Sequence, residues 1–320
     1  VLGGKARKYR ISERTEDRVL SEAKRIGFTP NQIASSLRLR KTNTIGLVIP
    51  DISNIFFATV ARCIETEARK RGYFIMLCDS QENPRIEEES IRLLRNRNID
   101  GLIISPVGMI GKSLQAMRDS GFPVVLLDRY FPGLDIPYVT SENHQGAYEA
   151  TKRLCALGHR RIACIRGLPD SSSSRDRVRG YRDALVEQGI EIDRSLIVGD
   201  DFSERCGYLE TKLLLQKRKR PTAIFSLGNL TSFGAMRAIK EGGLSVPEDV
   251  SLVSFDDHYY SEFLRTPLTA VSQQVDEFGL FAVKLLYDQL DGDAKAVEDG
   301  ISLPTKFVER ASIRDLNSGG

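Results

Sequence analysis

Several acidic, amide and guanidinium side chains follow directly on short apolar runs, and these are the residues best able to grip a solute. Asp51, Asn54 and Phe56 come after TIGLVI, Asp128 and Arg129 after VVLL, Ser226 to Asn229 after AIF, and Asp256 to His258 after SLVSF. Carboxylates and amides accept and donate hydrogen bonds to hydroxyls, and an arginine fork suits vicinal hydroxyls or a carboxylate. Covalent chemistry finds less support. No GxGxxG opens a helix, and neither a P-loop nor a GxSxG elbow occurs. The chain therefore reads as a binder and not as an enzyme. Cys63, Cys78, Cys155, Cys164 and Cys206 stand far apart, as do His144, His159 and His258, so metal-ligand spacing is absent and neither metal nor cofactor is expected.

The apolar runs read as strands because they are continuous and alternate with amphipathic stretches at helical spacing. A strand over Thr44 to Ile49 is followed by a helix from Phe56 to Arg71, then Tyr73 to Cys78, Gly101 to Ile104 and Pro123 to Asp128, with helices between. After Ser141 the alternation restarts, with strands at Ile162 to Ile165, Ser195 to Val198, Thr222 to Ser226 and Ser251 to Phe255, and a helix beginning near Val178. The expected class is α/β, with two doubly wound parallel-sheet lobes and a short helical N-terminal arm. Ligands in such sheets sit at the carboxyl ends of the strands, where the polar residues above lie. Two sheets facing one another enclose them in a cleft.

Charge divides the chain unevenly. The net charge is +3, yet residues 1 to 44 carry eleven Lys and Arg against four acids, which leaves −4 on the remainder. A basic arm on a mildly acidic body is the footprint of a polyanion partner. Within the arm, residues 13 to 26 read as one amphipathic helix capped at Ser12 and stopped at Gly27. Thr29-Pro30 opens a shorter one, with Ile33, Ala34 and Leu37 on one face near Arg38, Arg40 and Lys41. Packing of Leu37 on the body and a solvated linker is the competing reading. No apolar stretch approaches a membrane span, no secretory signal opens the chain, and the start lacks an initiator Met, so the expectation is a cytoplasmic protein whose beginning has been removed.

The ordered series TPNQIASSLRLRKTNTIGLVIPDISNIFF, DGLI, LDR, ALGHRRIACI, RVRGY, AIF and GLSVPEDVSLVSFDD resembles the LacI/GalR family of bacterial regulators over nearly the whole chain. The resemblance implies a fold like that of periplasmic binding proteins, with three crossovers between lobes. Residues 1–29 would then be the remnant of a helix-turn-helix and 30–43 a hinge helix and linker. Residues 44–143 with 274–304 would form the first sensor lobe, and 144–273 with 305–320 the second. The hinge helix would pair with that of a homodimer mate in the minor groove of operator DNA, where Asn31, Ala34, Leu37 and Arg38 would make contact and Leu37 would wedge a base step.

Strand-end position and the same resemblance together assign a small effector, a sugar or sugar derivative, to Asp51, Asn54, Phe56, Asp128, Asn143, Arg177, Phe225, Asn229 and Asp256. Local alternatives stand beside these roles. Asp256 also suits a helix N-cap, Arg177 lies in a charge run that suits a solvated face, and Phe56 and Phe225 suit ordinary core packing. Three departures from the family pattern touch the cleft rim: Ile55 in place of Pro, Gly228-Asn229 in place of Asn-Asp, and Glu142 in place of Asp before Asn143. A solute-binding protein for sugar uptake shares the expected fold, but it needs an export signal and has no use for the basic arm.

Overall fold

A computed structural model describes residues 10–27, 41–108, 111–292 and 300–318. By internal contacts the chain divides into two units, Val1–Asn43 and Thr44–Gly320.

In the first unit, helix α1 spans Glu13–Arg25, one residue shorter than the spacing predicts. Ser12 starts it in an extended conformation, but its hydroxyl meets Thr15 Oγ1 at 2.9 Å and caps no backbone N–H. Glu13 and Glu16 in the first turn and Lys24 and Arg25 in the last complement the helix dipole. The expected second helix and its Asn31, Ala34, Leu37 and Arg38 lie outside the described residues.

The second unit holds two six-stranded sheets. The first contains β1 (Thr44–Ile49), β2 (Phe74–Asp79), β3 (Gly101–Ile104), β4 (Val124–Leu127), β5 (Tyr138–Ser141) and β11 (Ile301–Leu303) in the order β11-β5-β4-β3-β1-β2, parallel throughout. The second contains β6 (Ile162–Ile165), β7 (Ile197–Val198), β8 (Ala223–Ser226), β9 (Ser251–Phe255), β10 (Thr269–Ser272) and β12 (Lys306–Val308) in the order β12-β10-β9-β8-β6-β7. Only β12 runs antiparallel to its neighbour. The helices are α2 (Ile55–Lys70), α3 (Pro84–Asn96), α4 (Lys112–Asp119), α5 (Asn143–Ala156), α6 (Ser172–Glu187), α7 (Glu204–Gln216), α8 (Asn229–Glu241) and α9 (Val275–Leu290).

The central strands of each sheet, β1, β3 and β4 in the first and β6, β8 and β9 in the second, are buried on both faces, which is why they read as unbroken apolar runs, whereas edge strand β2 is largely exposed. Side chains alternate between faces. Ile45, Leu47 and Ile49 of β1 enter a layer with Phe56, Val60 and Ile64 of α2 and Phe278 of α9, while Val48 enters the opposite layer with Ile91, Leu94 and Met117. In the second sheet Ile162 and Cys164 join Tyr181, Phe225 and Phe255, and Ala163 and Ile165 join Leu214, Ile224 and Leu252. The chain passes between the sheets three times, after Ser141, after Ser272 and after Leu303.

Two strands escaped the sequence reading, β5 and β10. Both are four residues long, both pair Val with Thr and Ser, and neither is an unbroken apolar run. Helix α6 begins at Ser172, six residues before the expected Val178. Its first turns bury Ser172, Ser173, Ser174 and Arg177, so the inward face is polar and hydrophobic periodicity does not register it.

Candidate functional site

Asp128 follows β4 and Asp256 follows β9, the fourth strand of each half. Both adopt left-handed backbone, φ 61° and 76°, which non-glycine residues rarely adopt and which turns the side chain off the strand end. Each fixes its N–H to the next strand, Asp128 to Val139 O at 2.8 Å and Asp256 to Val271 O at 3.0 Å. The two carboxylates line one narrow cleft together with Asn54, Phe56 and Phe57 from the start of α2, Glu82 after β2, and Arg129. From the second half come Ser173 and Arg177 of α6, Phe202, Gly228, Asn229 and Gln273. The cleft is nearly shut: the space open to a water-sized molecule is about 20 Å³, room for roughly one water.

Arg177 is 3% exposed and lies deep in this wall. Its Nε donates to Asn143 Oδ1 at 2.7 Å and its Nη1 to the Leu227 carbonyl at 2.8 Å, and the guanidinium stacks 3.7 Å from the centre of the Phe255 ring. The solvated-face reading is therefore set aside. Gly180, one turn further along α6, allows this reach, because a Cβ there would come within 2.1 Å of the His144 carbonyl on α5. Burial lowers the Arg177 pKa, and the charges of Asp256 and Asp128 oppose that shift. No hydrogen bond from Nη2 exists among the described residues, so one edge of the fork remains for a ligand.

The second guanidinium is spent within the protein. Arg129 holds Glu82 through both Nη atoms at 2.8 and 2.6 Å, and its plane faces Phe202 and Phe57. Burial works against its charge, but Glu82 and Asp128 outweigh burial and raise its pKa. Asp128 is raised by burial despite Arg177 and Arg129. Its Oδ1 is buried without a hydrogen-bond partner among the described residues, a costly arrangement that a donor on a ligand would relieve. Asp256 accepts from Gln273 Nε2. It caps no helix: the short 3-10 turn that follows, Tyr259–Phe263, is capped by His258.

Of the nine residues expected to meet an effector, six line the cleft: Asn54, Phe56, Asp128, Arg177, Asn229 and Asp256. The other three do not. Asp51 uses Oδ1 to hold Ser53 N and Oγ at 2.8 and 2.6 Å and thereby shapes the turn before Asn54. Asn143 sits behind Arg177 and anchors it, with its own amide donated to Ser141 O and Thr140 Oγ1. Phe225 is wholly buried in the core of the second sheet, so core packing describes it and ring stacking on a ligand does not.

Phe57, Glu82, Ser173, Phe202 and Gln273 join the wall without having been singled out. Phe202 carried the weakest signal, a lone ring in a polar loop. It seats against Gly167, where a Cβ would stand 2.2 Å from the ring. Glu82 and Gln273 lie after strand ends, and Gln273 follows a strand that itself went unread.

Contacts also run directly between the two halves. Asn229 Nδ2 donates to Asn54 Oδ1 at 2.9 Å, Ser141 Oγ to Gln273 Oε1 at 2.6 Å, and the Tyr130 N–H and hydroxyl meet Ser172 Oγ at 2.9 Å and Asp176 Oδ2 at 3.1 Å.

Residues 42–311 match the family of periplasmic binding proteins and sugar binding domains of the LacI family. The chain is 33% identical to the HTH-type transcriptional regulator DegA of Bacillus subtilis (strain 168) over 312 residues, which cover 97% of this chain and 92% of that one. It is 34% identical to catabolite control protein A of Priestia megaterium over 309 residues, 95% and 92% of the two chains. Among solved structures, it resembles a LacI family transcriptional regulator from Enterococcus faecium with bound ribose, with TM-score 0.77, 30% identity and coverage of 85% and 99%. It also resembles the transcriptional regulator CelR in complex with cellobiose, with TM-score 0.79, 28% identity and coverage of 94% and 91%.

Proposed function

The chain belongs to the LacI family of transcriptional regulators, and from that premise we propose that it is a repressor whose two sheets close on a neutral, hydroxyl-rich effector, a sugar or sugar derivative. The observation that carries the proposal is the convergence of Asp128, Asp256 and the open edge of Arg177 on one cleft, with Phe57 and Phe202 available as apolar walls. Carboxylates that accept hydroxyl hydrogen bonds, beside rings that cover the faces of a sugar, make a suitable set. The ribose and cellobiose held by the two structural relatives support the same ligand class. No helix among the described residues is long and apolar enough to cross a membrane, in keeping with a cytoplasmic protein. The named relatives are regulators, which supports a binding role over an enzymatic one.

Residues 44–143 with 274–304 and 144–273 with 305–320 would act as the two lobes, and their relative angle would set the separation of paired hinge helices over 30–43 in a homodimer. Asn31, Ala34, Leu37 and Arg38 would then address operator DNA. The edge strand β2 exposes Phe74, Met76 and Leu77, an apolar rim suited to a second copy. Coupling needs only that the ligand prefer one lobe angle.

A thermal-shift screen with D-ribose, cellobiose, sugar acids and nucleobases tests the site. A true ligand at a hundred times its Kd adds about 2.7 kcal/mol of stability, several degrees in Tm. Asp256→Asn should abolish that shift while folding normally. An unchanged shift in Asp256→Asn places the effector elsewhere, and operator affinity that ignores a saturating ligand defeats the regulatory coupling.

A further inference from the structure

His258 occupies a position that no effector contact explains. Asn54 Oδ1 accepts the Phe56 backbone N–H at 3.0 Å, which identifies it as the amide oxygen. Asn229 Oδ1 accepts the Leu230 backbone N–H at 2.6 Å, which identifies that atom in the same way. The group that faces Asn54 across the cleft is therefore the Asn229 NH2, and it donates twice, to Asn54 Oδ1 at 2.9 Å and to His258 Nε2 at 2.8 Å. Two backbone donors thus dictate that Nε2 is an unprotonated acceptor when the cleft is closed. The His258 side chain also accepts from the Ser261 backbone N–H. With donors on both sides, a neutral imidazole satisfies one of them at a time, and an imidazolium, a donor at both nitrogens, satisfies neither.

We propose that His258 is a positioning residue that makes closure of the cleft depend on its own protonation: neutral, it holds the Asn229 amide in the orientation that bridges to Asn54, and protonated, it releases that bridge. Rotation of the amide offers no escape, because it would set Asn229 Oδ1 against Asn54 Oδ1 and strand the Leu230 N–H. The ring is half-buried, and burial holds its pKa below the ordinary 6.5, opposed by Asp256 and Asp257. Asp257 is already paired with Arg310 through two bonds of 2.8 and 2.9 Å, and Asp256 accepts from Gln273. The Tyr260 ring lies 5.3 Å away, Asn229 of α8 bonds the His258 ring, and the bridge continues to Asn54 at the cap of α2.

The sign follows from these positions. Above pH 6.5 the ring is neutral whether the cleft is open or closed, and closure carries no penalty. As pH falls below 6.5, the open form takes up the proton first and closure weakens. The loss grows about tenfold per unit by which the closed form's pKa lies under that of the open form. It stops once the closed form is protonated as well.

The inference concerns the lobes themselves and holds whichever ligand they grip. The test uses the full chain without effector. With His144, His159 and His258 the only histidines, ring resonances of uniformly labelled protein report three titrations, and small-angle scattering from pH 8 to 5 reports opening. We expect His258 to titrate below 6.5 in step with an increase in radius of gyration. His258→Gln, whose amide oxygen replaces Nε2 as an acceptor without titrating, should stay closed across the range. Glu87, near Arg129, titrates at about 7 and is the internal control. Opening that follows the Glu87 midpoint, opening that persists in His258→Gln, or a His258 midpoint above 6.5 overturns the proposal. If the variant does not fold, the match of midpoints in the wild type decides alone.

Discussion

The tips of β4 and β9 are the same backbone device built twice and filled with different chemistry. In each, an aspartate in left-handed conformation sits at the end of the fourth strand and ties its N–H to the fifth. The next residue diverges. After Asp128 comes Arg129, clamped bidentately by Glu82, and after Asp256 comes Asp257, clamped bidentately by Arg310. The charges of anchor and anchored are exchanged between the halves. The carboxylates differ in consequence: Asp256 has Gln273 for a partner, whereas Asp128 keeps an unpaired, buried oxygen. A repeated scaffold fixes where a side chain stands, and its neighbours fix what it can do there.

Arg177 gives the sharpest way to break the comparison, since it serves both tips. Replacing it with Ala leaves both aspartates without their shared cation and strands Asn143 Oδ1 and the Leu227 carbonyl. We expect a loss of about 3–5 kcal/mol in denaturant unfolding; a loss below about 1 kcal/mol means the two halves do not rely on this cation.

Glu87 tests the first half alone. Burial pushes its carboxyl up to about 7, against the Val107 N–H and Arg129. A carboxyl raised in the folded state contributes stability that is complete below its unfolded pKa of 4.5 and is lost as pH rises through about 7. Glu87→Gln retains an acceptor for Val107 and should gain up to about 3 kcal/mol at pH 8. Melting curves from pH 4.5 to 8 should show a flatter slope in the variant, and an unchanged slope removes Glu87 from the account.

Asp128→Asn and Asp256→Asn should separate the two tips. Removing the buried charge at Asp128, whose Oδ1 has no hydrogen-bond partner among the described residues, should stabilise the ligand-free protein by about 1 kcal/mol or more at pH 8, while Asp256→Asn should be neutral or slightly destabilising. Shifts of equal sign and size would mean that the tips are equivalent after all. The smallest effect belongs to Arg153 and Glu309, an exposed pair joining α5 to the residue after β12 at 2.6 Å. Arg153→Ala should cost less than about 1 kcal/mol, and that little only at low salt.

Most of the architecture was legible because double burial writes itself as apolar runs such as TIGLVI and VVLL. The site was legible where a residue follows such a run, as Asp128 and Asp256 do. Legibility failed where polarity is buried. The serines that open α6 fell outside the expected helix, although all three are buried with Arg177. It failed also where one residue type serves two ends. Phe225 and Phe255 occur in similar apolar settings, but only contacts in three dimensions show that the second ring lies beneath a guanidinium and the first does not. Asp51 and Asn143 were found for a sound reason, their place beside the site, yet they hold its walls and do not line them.

Gln273 stands directly after one of the three places where the chain passes from sheet to sheet, and it touches both Ser141, beside another such passage, and Asp256. Three strands of chain through one seam act like three pins on a door: they permit a swing and resist a slide. A glutamine mounted on that seam and bonded to a strand tip is a lever with its short arm at the pins. Were the seam to turn slightly, Gln273 would carry that turn directly to the Asp256 carboxylate that faces the cleft.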